Sequence, residues 1–386
     1  MTSSVASKAS LLATSTLAGL FAVEGALRLF WPQPLLEVHR VTGGDSAFTT
    51  LDPELGWRNR PGASGETDAA GTTVRVAINA AGFRDVERAT AKVAGTSRIA
   101  VLGDSFVFGS GVVEEARMTN LLEARLGGRA EVLNFGVPGY GTDQEWLLLK
   151  RDVVRYRPDI VVLVFYVNDL AENVSRVIYG LPKPRFALEA GRLVQVDRPG
   201  LFTDAESASA GRNAGLVRWL DGHLHVWVLA KRALDALGSA RSSDEEIAAT
   251  RPPFVDLALE KGVEATPQLD LTLALLAEAR RAAEAAGARF LLVAAPHRSY
   301  VDPEIARRLL ALYRLPGDAF GDEPFRRLRR FAQSEKLAFV DLVPPFRAAM
   351  SRGEKVFGPD NVHWNDVGHR LAAEELAKAL PALPAR

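Results

Sequence analysis

A serine hydroxyl attacks a carbonyl well only when a base takes its proton, and the base works best when a carboxylate fixes its tautomer and steadies the imidazolium. The chain offers those three groups: Ser105 within Gly103-Asp104-Ser105-Phe106, and Asp360 and His363 within Asp360-Asn-Val-His363-Trp364. Charge developing on the carbonyl oxygen then calls for preorganised donors. Candidates are the Ser105 amide, an amide of the loop Asn134-Phe-Gly136-Val-Pro138-Gly139-Tyr140-Gly141, and the Asn168 side chain beside Asp169. Each fragment has a plainer reading when taken alone. Gly-Asp-Ser also starts helices, the glycine loop is an ordinary strand-to-helix turn, and Asn168-Asp169 suits a solvated turn in which Asp169 caps the next element. Their combination points to acyl transfer through a serine.

The elements that must position these groups are legible as short apolar runs: Arg98 to Leu102, Glu131 to Asn134, Asp159 to Phe165, Phe290 to Ala295 and Ala338 to Leu342. Between them, Asp143 to Tyr156 and Leu269 to Ala286 carry apolar residues at helical spacing. Strands alternating with helices predict a parallel sheet covered on both faces, a doubly wound α/β domain. Ligands of such sheets sit beyond the carboxyl ends of the strands, and all four motifs come after strands. The fourth precedes an amphipathic stretch, Arg370 to Leu380, that Asn365 or Asp366 caps, so His363 falls in the loop just before a helix.

Other residues compete for these roles. His297 also comes after a predicted strand and is the best rival base, with Asp302 as its nearest acid. His369 falls on the terminal helix and reads as structural, and Asp341 reads as a cap. His223 and His225, two apart on a predicted helix, point to different faces and do not form a metal pair. Asn173-Val-Ser175 fits the glycosylation acceptor pattern, which is common by chance.

Lys plus Arg and Asp plus Glu both number 47, so no global field recruits nucleic acid. The absence of cysteine removes disulfides and thiolate catalysis. Leu11 to Trp31 is an apolar run of roughly the 20 residues that span a bilayer, interrupted by Glu24 and Arg28, which are spaced to neutralise each other. It predicts an N-terminal signal anchor with the remainder outside the cytoplasm; a cleaved signal peptide and a buried amphipathic helix are the alternatives. Thr73 to Asn79 alternates as a half-buried strand within a β-rich lead-in. The long interval between the third and fourth strands, with a hairpin-like pair at Arg185–Leu188 and Leu193–Val196, reads as an insertion that shapes substrate access.

With these motifs the chain resembles the SGNH, or GDSL-type, hydrolase superfamily, whose four blocks carry Ser, Gly, Asn and His in that order. They match Gly-Asp-Ser105, the Gly139 loop, Asn168-Asp169 and Asp360-x-x-His363. Leu51-Asp-Pro-Glu-Leu-Gly-Trp57 and Asn79-Ala-Ala-Gly-Phe83-Arg84 resemble the lead-in of anchored bacterial members. The first block reads Gly-Asp-Ser-Phe instead of Gly-Asp-Ser-Leu, and Gly136 precedes Gly139, so which glycine donates stays open. The resemblance implies a flavodoxin-like, three-layer α/β/α sandwich over 97–386 with an insertion at about 180–265, after a transmembrane segment at 1–31 and a β-rich lead-in at 32–96. It implies Ser105, Asp360 and His363 as triad and Ser105, Gly139 and Asn168 as oxyanion hole, with no cofactor or metal. The expected reaction is hydrolysis of an acyl ester, on a glycan or a lipid. O-acyl transfer to an extracytoplasmic polysaccharide and non-catalytic glycan binding are the alternatives.

Overall fold

The structure is a computed structural model that describes residues 2–31, 48–69, 72–178, 181–199, 267–315, 319–359 and 362–380, with a few more positions between 220 and 230 and Gly317. Helix α1 spans Thr2–Phe30. Two antiparallel hairpins come next, β1 (Thr49–Asp52) with β2 (Gly56–Asn59) and β3 (Ser64–Ala69) with β4 (Thr72–Ala77). The alternating run predicted as one strand is thus the second arm of a hairpin. Its Val74 and Val76 are buried, with exposed Thr73, Arg75 and Ala77 between them.

The α/β unit then runs β5 (Ser97–Gly103), α2 (Ser105–Phe108), α3 (Met118–Leu126), β6 (Ala130–Gly136), α4 (Thr142–Arg151), β7 (Ile160–Tyr166) and α5 (Asp169–Glu172). Two small hairpins succeed it: β8 (Val177–Ile178) with β9 (Leu181–Pro182), and β10 (Arg185–Glu189) with β11 (Arg192–Asp197). The second is the hairpin expected in the insertion; most of the remaining insertion, including His223, lies outside the described residues. The chain resumes with α6 (Pro267–Ala285), β12 (Arg289–Ala295), α7 (Pro303–Tyr313), α8 (Glu323–Ser334), β13 (Ala338–Asp341), α9 (Val343–Ser351) and α10 (Asp366–Ala379).

The five central strands are all parallel, in the order β13-β12-β7-β5-β6. Every residue of β5 and β7 is buried, as expected of strands covered on both faces. The order reverses at β5, the first strand: β6 is laid on one side and β7 on the other. Crossovers of one hand therefore send α3 to one face and α4 and α6 to the opposite face. Packing of α3 on α10 and of α4 on α6 agrees with that division. The reversal opens a crevice at the carboxyl ends of β5 and β7, the place where such sheets bind ligands.

One part of the expected architecture is corrected. Residues 2–30 are helical, but no helix among the described residues is long and apolar enough to cross a membrane. Glu24 and Arg28 pair at 2.8 Å as their spacing foretold. Glu24 also accepts the His225 and Val226 amides at 3.1 and 2.8 Å, which holds its charge inside a protein contact. The serines and threonines scattered through the segment, together with Lys8, Glu24 and Arg28, dilute its apolar run.

Candidate active site

The nucleophile turn is set by the register of the sheet. Gly103 ends β5 opposite Gly136, the last residue of β6, so the chain leaves both strands at one edge. A Cβ on Gly103 would come within 2.3 Å of Val107, so only glycine admits so tight an exit into α2. Asp104 caps the turn by accepting the Phe106 amide at 2.9 Å. Ser105 is thereby held at the start of α2, half-exposed at the mouth of the crevice.

His363 arrives from the opposite end of the chain. Its Nε2 lies 2.8 Å from Ser105 Oγ, hydrogen-bonding distance for proton transfer from a hydroxyl to an imidazole. Its position is fixed from both sides. The His363 carbonyl accepts the Gly358 amide at 2.7 Å, and Trp364 bridges Phe357. The imidazole lies over Phe106 with ring centroids 5.3 Å apart, and buried Trp364 packs edge-on against the same ring at 4.8 Å. Asn365 caps α10 by accepting the Val367 and Gly368 amides, so His363 does precede a helix by two residues of loop. Asp360, the acid expected to hold His363, lies outside the described residues.

Asn168 comes after β7 at the same edge. Its Nδ2 donates to Glu172 Oε1 at 2.9 Å, and stands 3.5 Å from Asp104 Oδ2. Of the two glycines left open by the sequence, Gly136 has its amide already committed, donating to Asn134 Oδ1 at 2.9 Å. Gly139 turns the loop with a left-handed φ of 77°, a conformation suited to glycine. Asp169, expected as a cap, accepts the Thr142 hydroxyl at 2.7 Å and so ties α5 to α4.

The rival groups are engaged elsewhere. His297 is buried, its Nδ1 caps a short 3-10 turn by accepting the Ser299 amide at 3.1 Å, and burial pushes its pKa down to about 3. Asp302 caps α7 and pairs with Arg298 at 2.9 Å. His369 is buried under Trp364 and accepts the Met118 amide at 3.3 Å. Asp341 caps α9 and pairs with Arg329, as read from sequence. Asn173 is fully buried, donating to Thr272 at 2.9 Å and accepting the Asp143 amide, so it presents no glycosylation acceptor in the folded chain.

Sequence reasoning missed what the lead-in does. Arg84 is buried and spreads its guanidinium over the carbonyls of Phe108, Gly109 and Val112 at 3.3, 2.5 and 2.8 Å, clamping the segment just beyond Ser105. Trp57 donates its indole N–H to the Pro138 carbonyl at 3.1 Å, and Asn59 donates to the Gly136 carbonyl at 3.2 Å. The Tyr140 hydroxyl donates to the Trp57 carbonyl. The lead-in therefore braces both the serine turn and the glycine loop. Its glycine, tryptophan and Asn-x-x-x-Phe-Arg pattern was the available signal.

A cleft of about 540 Å³ opens beside the histidine loop, lined by Arg298, Met350, Lys355, Phe357 and Gly358 among others. Among the described residues no group of three or more histidine, cysteine or carboxylate side chains is placed to hold a metal ion.

The profile of the GDSL-like Lipase/Acylhydrolase family matches residues 101–371, well over half of the chain. No curated protein matches. Among solved structures, the acetyl xylan esterase AlAXEase is 15% identical with a TM-score of 0.39, over 74% of this chain and 100% of that one. A member of the lipolytic G-D-S-L family from Veillonella parvula DSM 2008 is 12% identical with a TM-score of 0.38, over 73% and 97%. An acetyl-xylooligosaccharide esterase from Geobacillus Stearmophilus is 13% identical with a TM-score of 0.38, over 76% and 100%. Likeness of that size says nothing of what this chain acts on.

Proposed function

Since the chain belongs to the GDSL-like lipase/acylhydrolase family and is an ester-hydrolysing enzyme, we propose that Ser105 is its nucleophile and His363 its general base, with Asp360 as the acid that orients His363. The observation that carries this reading is the 2.8 Å approach of His363 Nε2 to Ser105 Oγ, made between residues 258 positions apart.

In the proposed cycle Ser105 Oγ adds to the acyl carbon while its proton passes to His363 Nε2. The carbonyl π electrons move to oxygen, which the Ser105 amide, the Gly139 amide and the Asn168 side chain receive as oxyanion donors. Collapse of that adduct breaks the bond to the alcohol oxygen, which takes the proton from His363 and leaves. Water then adds to the acyl-enzyme, giving a proton to His363, and the second collapse returns that proton to Ser105 Oγ and frees the acid. A glycan hydroxyl in place of water would turn the same intermediate into a transferase, a reading that product analysis with and without a glycan acceptor separates.

The direct test is labelling of the full chain with a fluorophosphonate. Labelling that disappears in folded Ser105→Ala and falls steeply in His363→Ala is the expected result. An unlabelled, folded parent would overturn the reading.

Attachment to a membrane outside the cytoplasm belongs to the same proposal. Its support is the run of exposed apolar side chains toward the end of α1 and just beyond it, Phe21, Leu29, Phe30 and Trp31. Recovery of the chain from carbonate-washed membranes checks it; full release into the soluble fraction sinks it.

A further inference from the structure

Behind Asn168 lies a group of carboxyl side chains that none of these steps uses. Asp104, Asp143, Glu145, Asp169 and Glu172 are all buried, and they come from three places: the exit of β5, the first turn of α4, and α5. One cation is buried with them. Lys183 places Nζ 2.5 Å from Asp143 Oδ2 and donates to the Glu172 carbonyl at 3.0 Å. From the final loop, His363 acts electrostatically on Asp104. Both carboxyl oxygens of Glu145, with Asp169 Oδ1, Glu172 Oε2 and Asn168 Oδ1, have no partner among the described residues.

Five carboxyl groups beside one ammonium cannot all ionise away from water. Burial first, and repulsion among the carboxylates second, push Glu145, Asp169 and Glu172 well above the usual carboxylate range. The side chain they surround is Asn168. One Nδ2 hydrogen is spent on Glu172 Oε1 at 2.9 Å, and the other has only the long 3.5 Å approach to Asp104 Oδ2.

We propose that Glu172 is a positioning residue: its Oε1 fixes the Asn168 amide so that the second Nδ2 hydrogen stays aimed at the oxyanion. The spacing suits the task, because Asn168 and Glu172 stand four residues apart across α5 and meet on one face. A donor held in place before reaction stabilises the oxyanion without reorganising, whereas an amide free to rotate loses much of that effect. Asp143, neutralised by Lys183, anchors the far side of the group.

The inference rests on the serine hydrolase reading, and the experiment separates the two. Steady-state hydrolysis of 4-nitrophenyl acetate by the full chain is compared for the parent, Asn168→Ala, Glu172→Ala and the double variant. Asn168→Ala should lower kcat by about 10²-fold or more. Glu172→Ala should lower it by about 10-fold or more with KM within about twofold, and the double variant should fall no further than Asn168→Ala. Glu172→Gln, which keeps an acceptor oxygen and mimics the protonated acid, should restore kcat to within about threefold of the parent at neutral pH. Should Glu172→Ala fail to fold, Glu172→Asp, which withdraws the carboxyl from Asn168, takes its place in the same cycle. Additive losses in the double variant, or an unchanged kcat in the folded single variant, overturn the positioning role. A parent that neither hydrolyses the ester nor takes a fluorophosphonate overturns the hydrolase reading beneath it.

Discussion

A Cβ on Gly136 would stand 2.1 Å from the main-chain nitrogen of Phe108. The last residue of β6 is thus in backbone contact with the helix that begins at Ser105, and the glycine loop and serine turn are packed as one unit. No rotamer relieves a clash with main chain, so Gly136→Ala should cost about 3 kcal/mol of stability or more. It should also slow labelling of Ser105. A denaturant midpoint equal to that of the parent would show that the two loops move independently.

Arg84 serves the same turn from the lead-in. Arg84→Met leaves the buried carbonyls of Gly109 and Val112 without their donor and should destabilise the chain by about 3 kcal/mol or more. Arg84→Lys should recover less than half of the loss, because a single ammonium cannot reach carbonyls arranged around a planar fork. Urea unfolding of the three proteins checks both statements; full recovery by lysine would count against the clamp.

His369 predicts the acid limb of stability. Burial, then the nearby Arg84 and Arg117 charges, lower its pKa from 6.5 to about 3. Between those values the unfolded chain binds a proton that the folded chain refuses, so this contribution is complete above pH 6.5 and is lost as pH falls toward 3. His369→Gln keeps an acceptor for the Met118 amide and should flatten the stability slope below pH 6.5 by up to about 1.4 kcal/mol per pH unit. Buried His297 adds a second such proton, so the double variant should be flatter still.

Glu145 predicts the opposite limb. Its folded pKa is raised by burial and then by Asp104, Glu172 and Asp143, so above the ordinary value of 4.5 the unfolded chain releases a proton that the folded chain retains. Stability must then fall as pH rises from there through the folded value. Glu145→Gln removes the proton while keeping the shape. Its advantage over the parent should be small near pH 4 and widen as pH rises through the folded value, by up to about 1.4 kcal/mol per pH unit. Parallel stability curves would mean that Glu145 is ionised in the fold.

The sequence by itself determined those features that depend on local periodicity and on punctuation at strand ends. The apolar stretches within Arg98 to Leu102 and Asp159 to Phe165 have no alternating polar face, so they read as buried parallel strands, and Gly103, Asn168 and Asn365 mark where chain leaves or enters an element. Those signals sufficed to bring Ser105, Asn168 and the glycine loop to one edge and His363 to a loop before the final helix. They erred where length and apolarity alone were counted, as in the membrane span expected from residues 11–31.

Tertiary structure decided the rest, because the deciding partners lie too far apart in the chain for any periodic pattern to pair them. Short-range choices were left to the fold as well: Gly136 donates its amide to Asn134 Oδ1, two residues back. Only the fold brings Trp57 and Asn59 across about eighty residues to brace the glycine loop, and Arg84 to the serine turn. Asp104, Glu145 and Glu172 carry no pattern in the sequence that marks them out. Their proton affinity is set by the water they lose and the charges they meet, and both exist only once β5, α4 and α5 have packed together.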